Sequence, residues 1–388
     1  MESIISLDKE YVAGTYGRFP VELVSGKGSV VTDVNGKAYI DMGSGIGVTA
    51  FGFGDEAWTA AVTAQLGKLQ HTSNLYYTEP CAQLAKLLCD KTGMKKVFFG
   101  NSGAEANECA IKVARKYSAE KKGPACNTII TLVNSFHGRT LTTLAATGQD
   151  HFHQLFQPLT PGFAHVPAND IAALEKAVEE LNPAGIMLEC VQGEGGVLPL
   201  TAEFVAAADK LCKAHDIPLI IDEVQTGNGR TGTLYAYMQF GITPDVVSTA
   251  KGLGGGLPIG ACLMGEKVQN VLGPGDHGST YGGNPVCCAG AVSVIGRMDE
   301  EFLAGVREKS AYVFSQLEGA PGVESVAGMG LMIGIKTVKS AKDVVNACME
   351  QGVLCLTAKD KVRLLPALNI PMEDLQKAVA VIKAACAG

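Results

Sequence analysis

The sequence lacks the features that would take it to a membrane or to a nucleic acid. No apolar run approaches bilayer length without glycine or charge. Met1-Glu2-Ser3-Ile4-Ile5 has neither the charged start nor the apolar stretch of a signal peptide. Basic charge is not in excess: 32 Lys and Arg against 39 Asp and Glu leave a net charge of -7, and no basic stretch interleaved with aromatics tracks a phosphate backbone. Internal repeats, low-complexity tracts and Pro/Ser-rich linkers are missing too. The 12 cysteines contain no C-x-x-C pair, and the adjacent Cys287 and Cys288 suit neither a zinc knuckle nor ordinary bridging. Most lie in apolar runs and read as buried, reduced thiols. These absences predict a cytoplasmic protein without a nucleic-acid partner, a membrane partner or a metal. Nucleotide fingerprints are incomplete as well: there is no Gly-x-x-x-x-Gly-Lys-Ser/Thr, and Gly43-Ser44-Gly45-Ile46-Gly47 departs from Gly-x-Gly-x-x-Gly.

With 388 residues, 47% of them hydrophobic, the chain can bury a large core and divide into more than one domain. Short apolar runs (Thr128–Val133, AGIMLECV from Ala184, IPLIIDEV ending at Val224, Asp245–Ser248) alternate with helical stretches. That order predicts an α/β fold with a mostly parallel sheet covered on both faces, which binds ligands at the carboxyl ends of its strands. The termini read differently. Residues 20–41 alternate around Asn35-Gly36, a hairpin signal, and the chain beyond Glu301 mixes helices with short strands such as VRLLP at 362–366. Together they predict a smaller α+β domain drawn from both ends.

Four segments carry chemistry by residue type and place. Asp222 ends an apolar strand, and a carboxylate there needs a cationic partner, such as a protonated pyridine nitrogen, which would make the ring an electron sink. Lys251 follows another strand end among apolar and glycine neighbours. Alone it reads as a solvated lysine; desolvated, its pKa falls, as a Schiff-base lysine requires. Ser102 and Glu105 have capping-box spacing, and Ala106, Cys109/Ala110, Val113 and Tyr117 then recur at helical period. This predicts a strand–turn–helix whose start offers free N–H groups to an anion. Phe136-His137-Gly138-Arg139 adds an aromatic that could stack on a flat cofactor and an arginine that could fork onto a carboxylate. Alone, Phe136 reads as core and Arg139 as a surface charge.

Read together, NSGAEAN (Asn101–Asn107), SFHGRT (Ser135–Thr140), DEVQTGNGRTG (Asp222–Gly232) and AKGLGGGLPIG (Ala250–Gly260) resemble the class III (ornithine/acetylornithine) aminotransferases. HTSNLYYTEP (His71–Pro80), QGEGG (Gln192–Gly196) and HGSTYGGNP (His277–Pro285) extend the resemblance, which runs in one order from about Tyr16 to Ile370. It implies an enzyme of fold type I using pyridoxal 5'-phosphate (PLP). Residues 51–289 would be the large cofactor-binding domain, and 1–50 and 290–388 the two parts of the small one. By position, Lys251 would carry the cofactor as a Schiff base and shuttle a proton. Asp222 would pair with the pyridine nitrogen and Gln225 with the ring hydroxyl. Ser102, Gly103 and Ala104 would hold the phosphate, Phe136 would stack on the ring, and Thr280 would reach the phosphate of a neighbouring subunit in a homodimer with shared sites.

Arg139 and Arg363 would clamp substrate carboxylates, Glu194 would mask Arg363 while the amino donor is bound, and Tyr16, Asn74 and Ser279 would line the substrate side. Cys190 and Ala367 stand where relatives usually carry proline. The implied reaction moves the δ-amino group of N-acetylornithine to 2-oxoglutarate in arginine biosynthesis. N-succinyl-diaminopimelate, succinylornithine, ornithine and 4-aminobutyrate are alternative donors, and a fold that has lost catalysis and serves binding or regulation is the alternative of another class.

Overall fold

A computed structural model describes residues 3–388. Met1 and Glu2, which begin both the stretch read against a signal peptide and the first domain segment, lie outside them. Near the start, β1 (Leu23–Lys27), β2 (Val30–Asp33) and β3 (Ala38–Asp41) form an antiparallel ribbon. The β2–β3 connection is the hairpin expected at Asn35-Gly36. Gly36 has φ +81°, and Asp33 Oδ1 accepts from the N–H of both Asn35 and Lys37 at 2.9 Å.

The middle of the chain supplies β4 (Lys96–Gly100), β5 (Ile129–Leu132), β6 (Phe163–Val166), β7 (Gly185–Leu188), the two-residue strands β8 (Val191–Gln192) and β9 (Leu198–Pro199), β10 (Leu219–Asp222), β11 (Val246–Thr249) and β12 (Gly260–Met264). All but β8 and β9 form a seven-stranded sheet in the order β4-β12-β11-β10-β7-β5-β6. β5, β6, β7, β10 and β11 pair in parallel, and β12 runs antiparallel to both its neighbours. Every residue of β5, β7, β10, β11 and β12 is buried, as expected of strands covered on both faces. One cover is the helix Gly103–Lys122, whose inner stripe (Ala106, Ala110, Val113, Ala114, Tyr117) is buried.

The C-terminal part adds β13 (Val323–Met329), β14 (Met332–Thr337), β15 (Val353–Leu354), β16 (Leu356–Ala358) and β17 (Lys361–Leu364). Four of these form the sheet β13-β14-β17-β16, whereas β15 pairs in parallel with β3, so one small sheet takes strands from both ends of the chain. Buried Arg230 joins these parts to the central sheet. It lies in the loop after β10 and donates to the carbonyls of Leu331 (3.1 Å) and Pro366 (2.6 Å), the second just past the strand that carries Arg363. Among the described residues no helix is long and apolar enough to cross a membrane, and no cluster of ligand-type side chains could hold a metal ion.

Candidate active site

The carboxyl ends of β4, β5, β7, β10 and β11 open on one side of the central sheet, and the antiparallel β12 begins there. A cleft of ≈ 480 Å³ lies at this edge, lined by Ser102, Gly103, Ala104, Phe136, Arg139, Asp222, Gln225 and Lys251, among others. Eight predicted site residues from four strand ends thus meet in one cavity.

The turn after β4 builds an anion cradle. Ser102 caps the helix, its Oγ accepting from Glu105 N at 3.2 Å. The reciprocal half of the expected capping box is displaced by one residue: Glu105 Oε2 accepts from Asn101 N (2.5 Å) and Asn101 Nδ2 (2.8 Å). The first-turn N–H groups of Gly103 and Ala104 have no intrahelical acceptor, the arrangement that favours a phosphate. Gly103 is dictated by packing, since a Cβ there would lie 2.6 Å from Val224 Cγ1.

Asp222 is buried, and each of its oxygens is engaged. Oδ2 accepts from His137 Nδ1 and Asn107 Nδ2, both at 2.8 Å, and Oδ1 from Val224 N at 2.9 Å. Burial works against the His137 imidazolium, but the hydrogen bond and charge of Asp222, with the charge of Glu189, outweigh it and raise its pKa. His137 and Asn107 were missed as site residues: the sequence shows them beside Arg139 and Gly103, with nothing to say that they converge on Asp222.

Lys251 stands two residues beyond β11 with φ +45°, a conformation that costs a non-glycine residue energy and concentrates at functional sites. Burial lowers its pKa, with Glu194, Asp222 and Glu189 pulling the other way and Arg363 adding to the fall. An amine so placed is readier to lose its proton than a solvated lysine.

Arg363 is buried on β17. Its Nη1 donates to Glu194 Oε1 at 2.5 Å and to Gln225 Oε1 at 3.1 Å, while Gln225 Nε2 donates to Glu194 Oε1 at 3.2 Å. The triangle closes above Gly193, where a Cβ would come 2.2 Å from Gln225 Oε1. Burial pushes the Glu194 pKa up, but the charge and hydrogen bond of Arg363 bring it below the ordinary value. The Nε of Arg363 is buried without a partner among the described residues. Arg139 is different: it is exposed at the cleft rim over the Phe152 ring (3.9 Å) and makes no ion pair among the described residues.

Other predicted residues lie outside the cleft. Asn74 and Ser279 line a neighbouring cavity of ≈ 470 Å³, where Asn74 Nδ2 donates to the carbonyls of Ser279 (3.1 Å) and Gly282 (2.8 Å). Ser279 Oγ accepts from Asn101 Nδ2 at 3.1 Å, and Asn101 also lines the first cleft. Thr280 is exposed. Tyr16 is 73% exposed, with Arg18 over its ring at 5.4 Å, and does not line the cleft. Conversely, Glu189, one residue past β7, lines the cleft unassigned. Its signal was the same as that of Asp222, a single carboxylate at the end of an apolar run.

A half-buried lysine of lowered pKa, a buried acid and an anion cradle in one cleft define an enzyme that can hold a phosphorylated carbonyl cofactor, and these residues fit PLP. The model of the aminotransferase class-III family matches residues 11–386, and the chain belongs to that family of PLP-dependent transaminases. It is 53% identical over 383 residues, 98% of each chain, to the acetylornithine aminotransferase of Haemophilus ducreyi. Among solved structures it is similar to the ornithine aminotransferase of Toxoplasma gondii, with TM-score 0.94 and 32% identity over 98% of this chain and 93% of that one. The N-acetylornithine aminotransferase of Stenotrophomonas maltophilia is similar at TM-score 0.85 and 36% identity, covering 98% of both.

Proposed function

We propose that this transaminase moves the δ-amino group of N-acetylornithine to 2-oxoglutarate, giving N-acetylglutamate 5-semialdehyde and glutamate for arginine biosynthesis. The observation that carries this reading is the Glu194–Arg363 contact at 2.5 Å. An enzyme that takes first a donor with one carboxylate and then a keto acid with two needs a second cation that can be hidden. Glu194 neutralises Arg363 in the first half-reaction and, by moving aside, frees it for the distal carboxylate of 2-oxoglutarate. Arg139, exposed at the rim with no counter-ion among the described residues, takes the carboxylate that both substrates share. The name carried by the Haemophilus ducreyi relative, at 53% identity, supports N-acetylornithine as the donor.

PLP, when bound, supplies an electron sink for the carbon that bears the transferred amino group. Ser102 and the N–H groups of Gly103 and Ala104 would hold its phosphate. Phe136 would cover the ring, Gln225 would meet the ring hydroxyl, and Asp222, fixed by His137 and Asn107, would hold a proton on the ring nitrogen. Lys251 would be the attachment point, with its Nζ taking and returning the substrate proton.

A homodimer with shared sites is part of the proposal. Leu75 (84%), Tyr76 (71%), Tyr77 (106%) and Tyr281 (61%) are exposed around the cavity of Asn74 and Ser279, and such an apolar patch favours a protein partner. A second copy there would bring Thr280, Asn74 and Ser279 to the neighbour's site, with Tyr16 on its substrate side. We assign residues 51–289 to a large cofactor-binding domain and 1–50 with 290–388 to a small one, in line with the strand content of the sheets. The 12 unpaired cysteines support a reducing, cytoplasmic setting.

The test is a panel of amino donors assayed with 2-oxoglutarate: N-acetylornithine, N-succinylornithine, N-succinyl-diaminopimelate, ornithine and 4-aminobutyrate. The highest kcat/KM is expected for N-acetylornithine, and a preference for free ornithine would overturn the assignment.

A further inference from the structure

Glu189 is a buried carboxylate in the wall of the cleft to which the proposed reaction gives no role. It sits one residue beyond β7 and is 5% exposed. Among the described residues its side chain makes no contact of ion-pair length with a cation. Instead its two oxygens face two different loops. Oε1 accepts from the backbone N–H of Phe136 at 2.8 Å, and Oε2 from that of Gly193 at 3.4 Å. Phe136 carries the ring that covers the cofactor in the proposed site, and Gly193 immediately precedes Glu194.

We propose that Glu189 is a positioning residue that ties the Phe136 loop to the Gly193–Glu194 loop, so that the ring-covering face and the arginine-masking carboxylate are held in one register. The inference deepens the proposed function and rests on it for the roles of Phe136 and Glu194.

The chemistry favours a carboxylate at this point. Two backbone donors arriving from different loops need two acceptor atoms on one rigid plane, which an ionised carboxylate provides and an amide does not. After Glu189→Gln the single amide oxygen could serve one N–H, while the NH2 group would face the other donor. A carboxylate buried in this way costs desolvation, and burial pushes the Glu189 pKa up to about 7 despite the opposing charge of His137, so the ionised form that serves both loops prevails above that pH, where the test is made. The neighbours reinforce the tie. Gly195, with a would-be Cβ 2.6 Å from Asn134 O, packs the glutamate loop directly on the loop after β5. Gln192 Nε2 donates to Val133 O at 2.9 Å and secures the same seam.

The test uses Glu189→Gln in full-length protein with two readouts. The first is the affinity of the apoprotein for PLP, followed by absorbance and protein fluorescence, which needs no substrate. The second is the KM of each half-reaction, measured separately. Glu189→Gln is expected to weaken PLP binding about tenfold and to raise the donor KM about tenfold, as for a lost charge-assisted hydrogen bond. The keto-acid KM is expected to stay within about twofold.

Because Glu189 acts through other residues, the PLP effect should vanish in a Phe136→Ala background and the donor effect in a Glu194→Gln background. Additive losses in those double variants, equal losses in both half-reactions, or values unchanged from wild type would each overturn the proposal. If Glu189→Gln does not fold, Glu189→Asp carries the same cycles, since it keeps two oxygens but is too short to reach both loops. Failure of that variant to fold makes the residue a structural one and overturns the proposal too. A wild-type enzyme that binds PLP but transaminates none of the donors refutes the proposed function instead, leaving the PLP cycle intact.

Discussion

Arg363 Nη1 and Glu194 Oε1 lie 2.5 Å apart although 169 positions separate them in sequence. The arginine side chain is 4% exposed and the glutamate 30%, so the glutamate is the partner with room to move. Glu194→Gln is expected to leave Arg363 uncompensated when the donor binds. The donor half-reaction should lose about tenfold in kcat/KM, while the KM for 2-oxoglutarate should fall, because no carboxylate competes for the guanidinium. Single-turnover measurements of the two half-reactions check this. Equal rates in both, relative to wild type, refute the masking role.

Gly193 is required by Gln225 rather than by its own backbone. A methyl group there would stand 2.2 Å from Gln225 Oε1 and 2.4 Å from Cδ, so Gly193→Ala must push the amide away from both Glu194 and Arg363. The cost is on the order of 1–3 kcal/mol, as for other overpacked sites. The variant should also shift the pH midpoint of the cofactor's visible absorbance, because Gln225 is the residue assigned to the ring hydroxyl. An unshifted titration together with an unchanged Tm would show that Gln225 does not reach the ring.

How far the sequence led differs residue by residue. Asp222 was legible because it ends an apolar strand, where only a partnered charge is tolerated, whereas Lys251, two residues past β11, reads alone as a solvated lysine and took its role from the family resemblance. Glu189 carries that same signal in AGIMLECV, yet no backbone donor within its own segment reveals that it faces two other loops. The helix cap at Ser102 was legible and its reciprocal half was not: the side chain of Glu105 reaches Asn101 because that backbone N–H is the donor the turn leaves free. β12 reads as an apolar run like its neighbours, and its reversed direction follows from connectivity alone, which burial on both faces does not encode. The Glu194–Arg363 pairing came from family resemblance, since nothing in local spacing ties residues so far apart.

Stability should vary with pH through the buried groups beneath the cleft. In the folded chain His137 has its pKa raised from 6.5 because Asp222 and Glu189 outweigh its burial. Its contribution is therefore complete below pH 6.5 and is lost as pH rises through the raised value. Burial raises Glu189 and Glu223 from 4.5 to about 7. Between those limits the folded chain binds more protons than the unfolded one, so these carboxylates also make stability fall as pH rises. His137→Asn keeps a donor for Asp222 but cannot titrate. The apoprotein's Tm, followed from about pH 6.5 to 8.5, should fall less in this variant than in wild type. Parallel curves refute the assignment.

Lys251 makes the sharpest separation between what serves the fold and what serves chemistry. Its φ of +45° costs a side-chain-bearing residue roughly 1–2 kcal/mol that glycine does not pay, and its amine loses solvation on burial. Glycine at this position removes both costs, whereas alanine removes only the desolvation. Lys251→Gly should therefore be more stable than Lys251→Ala by about 1 kcal/mol, and neither variant should melt below wild-type apoprotein. Both should lack the visible band that borohydride reduction bleaches in the wild type, and should lose about 10²–10⁴-fold or more in the rate of each half-reaction. Added small amines should restore part of that rate in the Lys251→Ala protein, because the missing group is a base and not a packing element. A Lys251→Ala protein with unimpaired half-reactions would remove the lysine from the chemistry. Destabilisation of both variants would show that the positive φ is held by packing that needs the lysine itself.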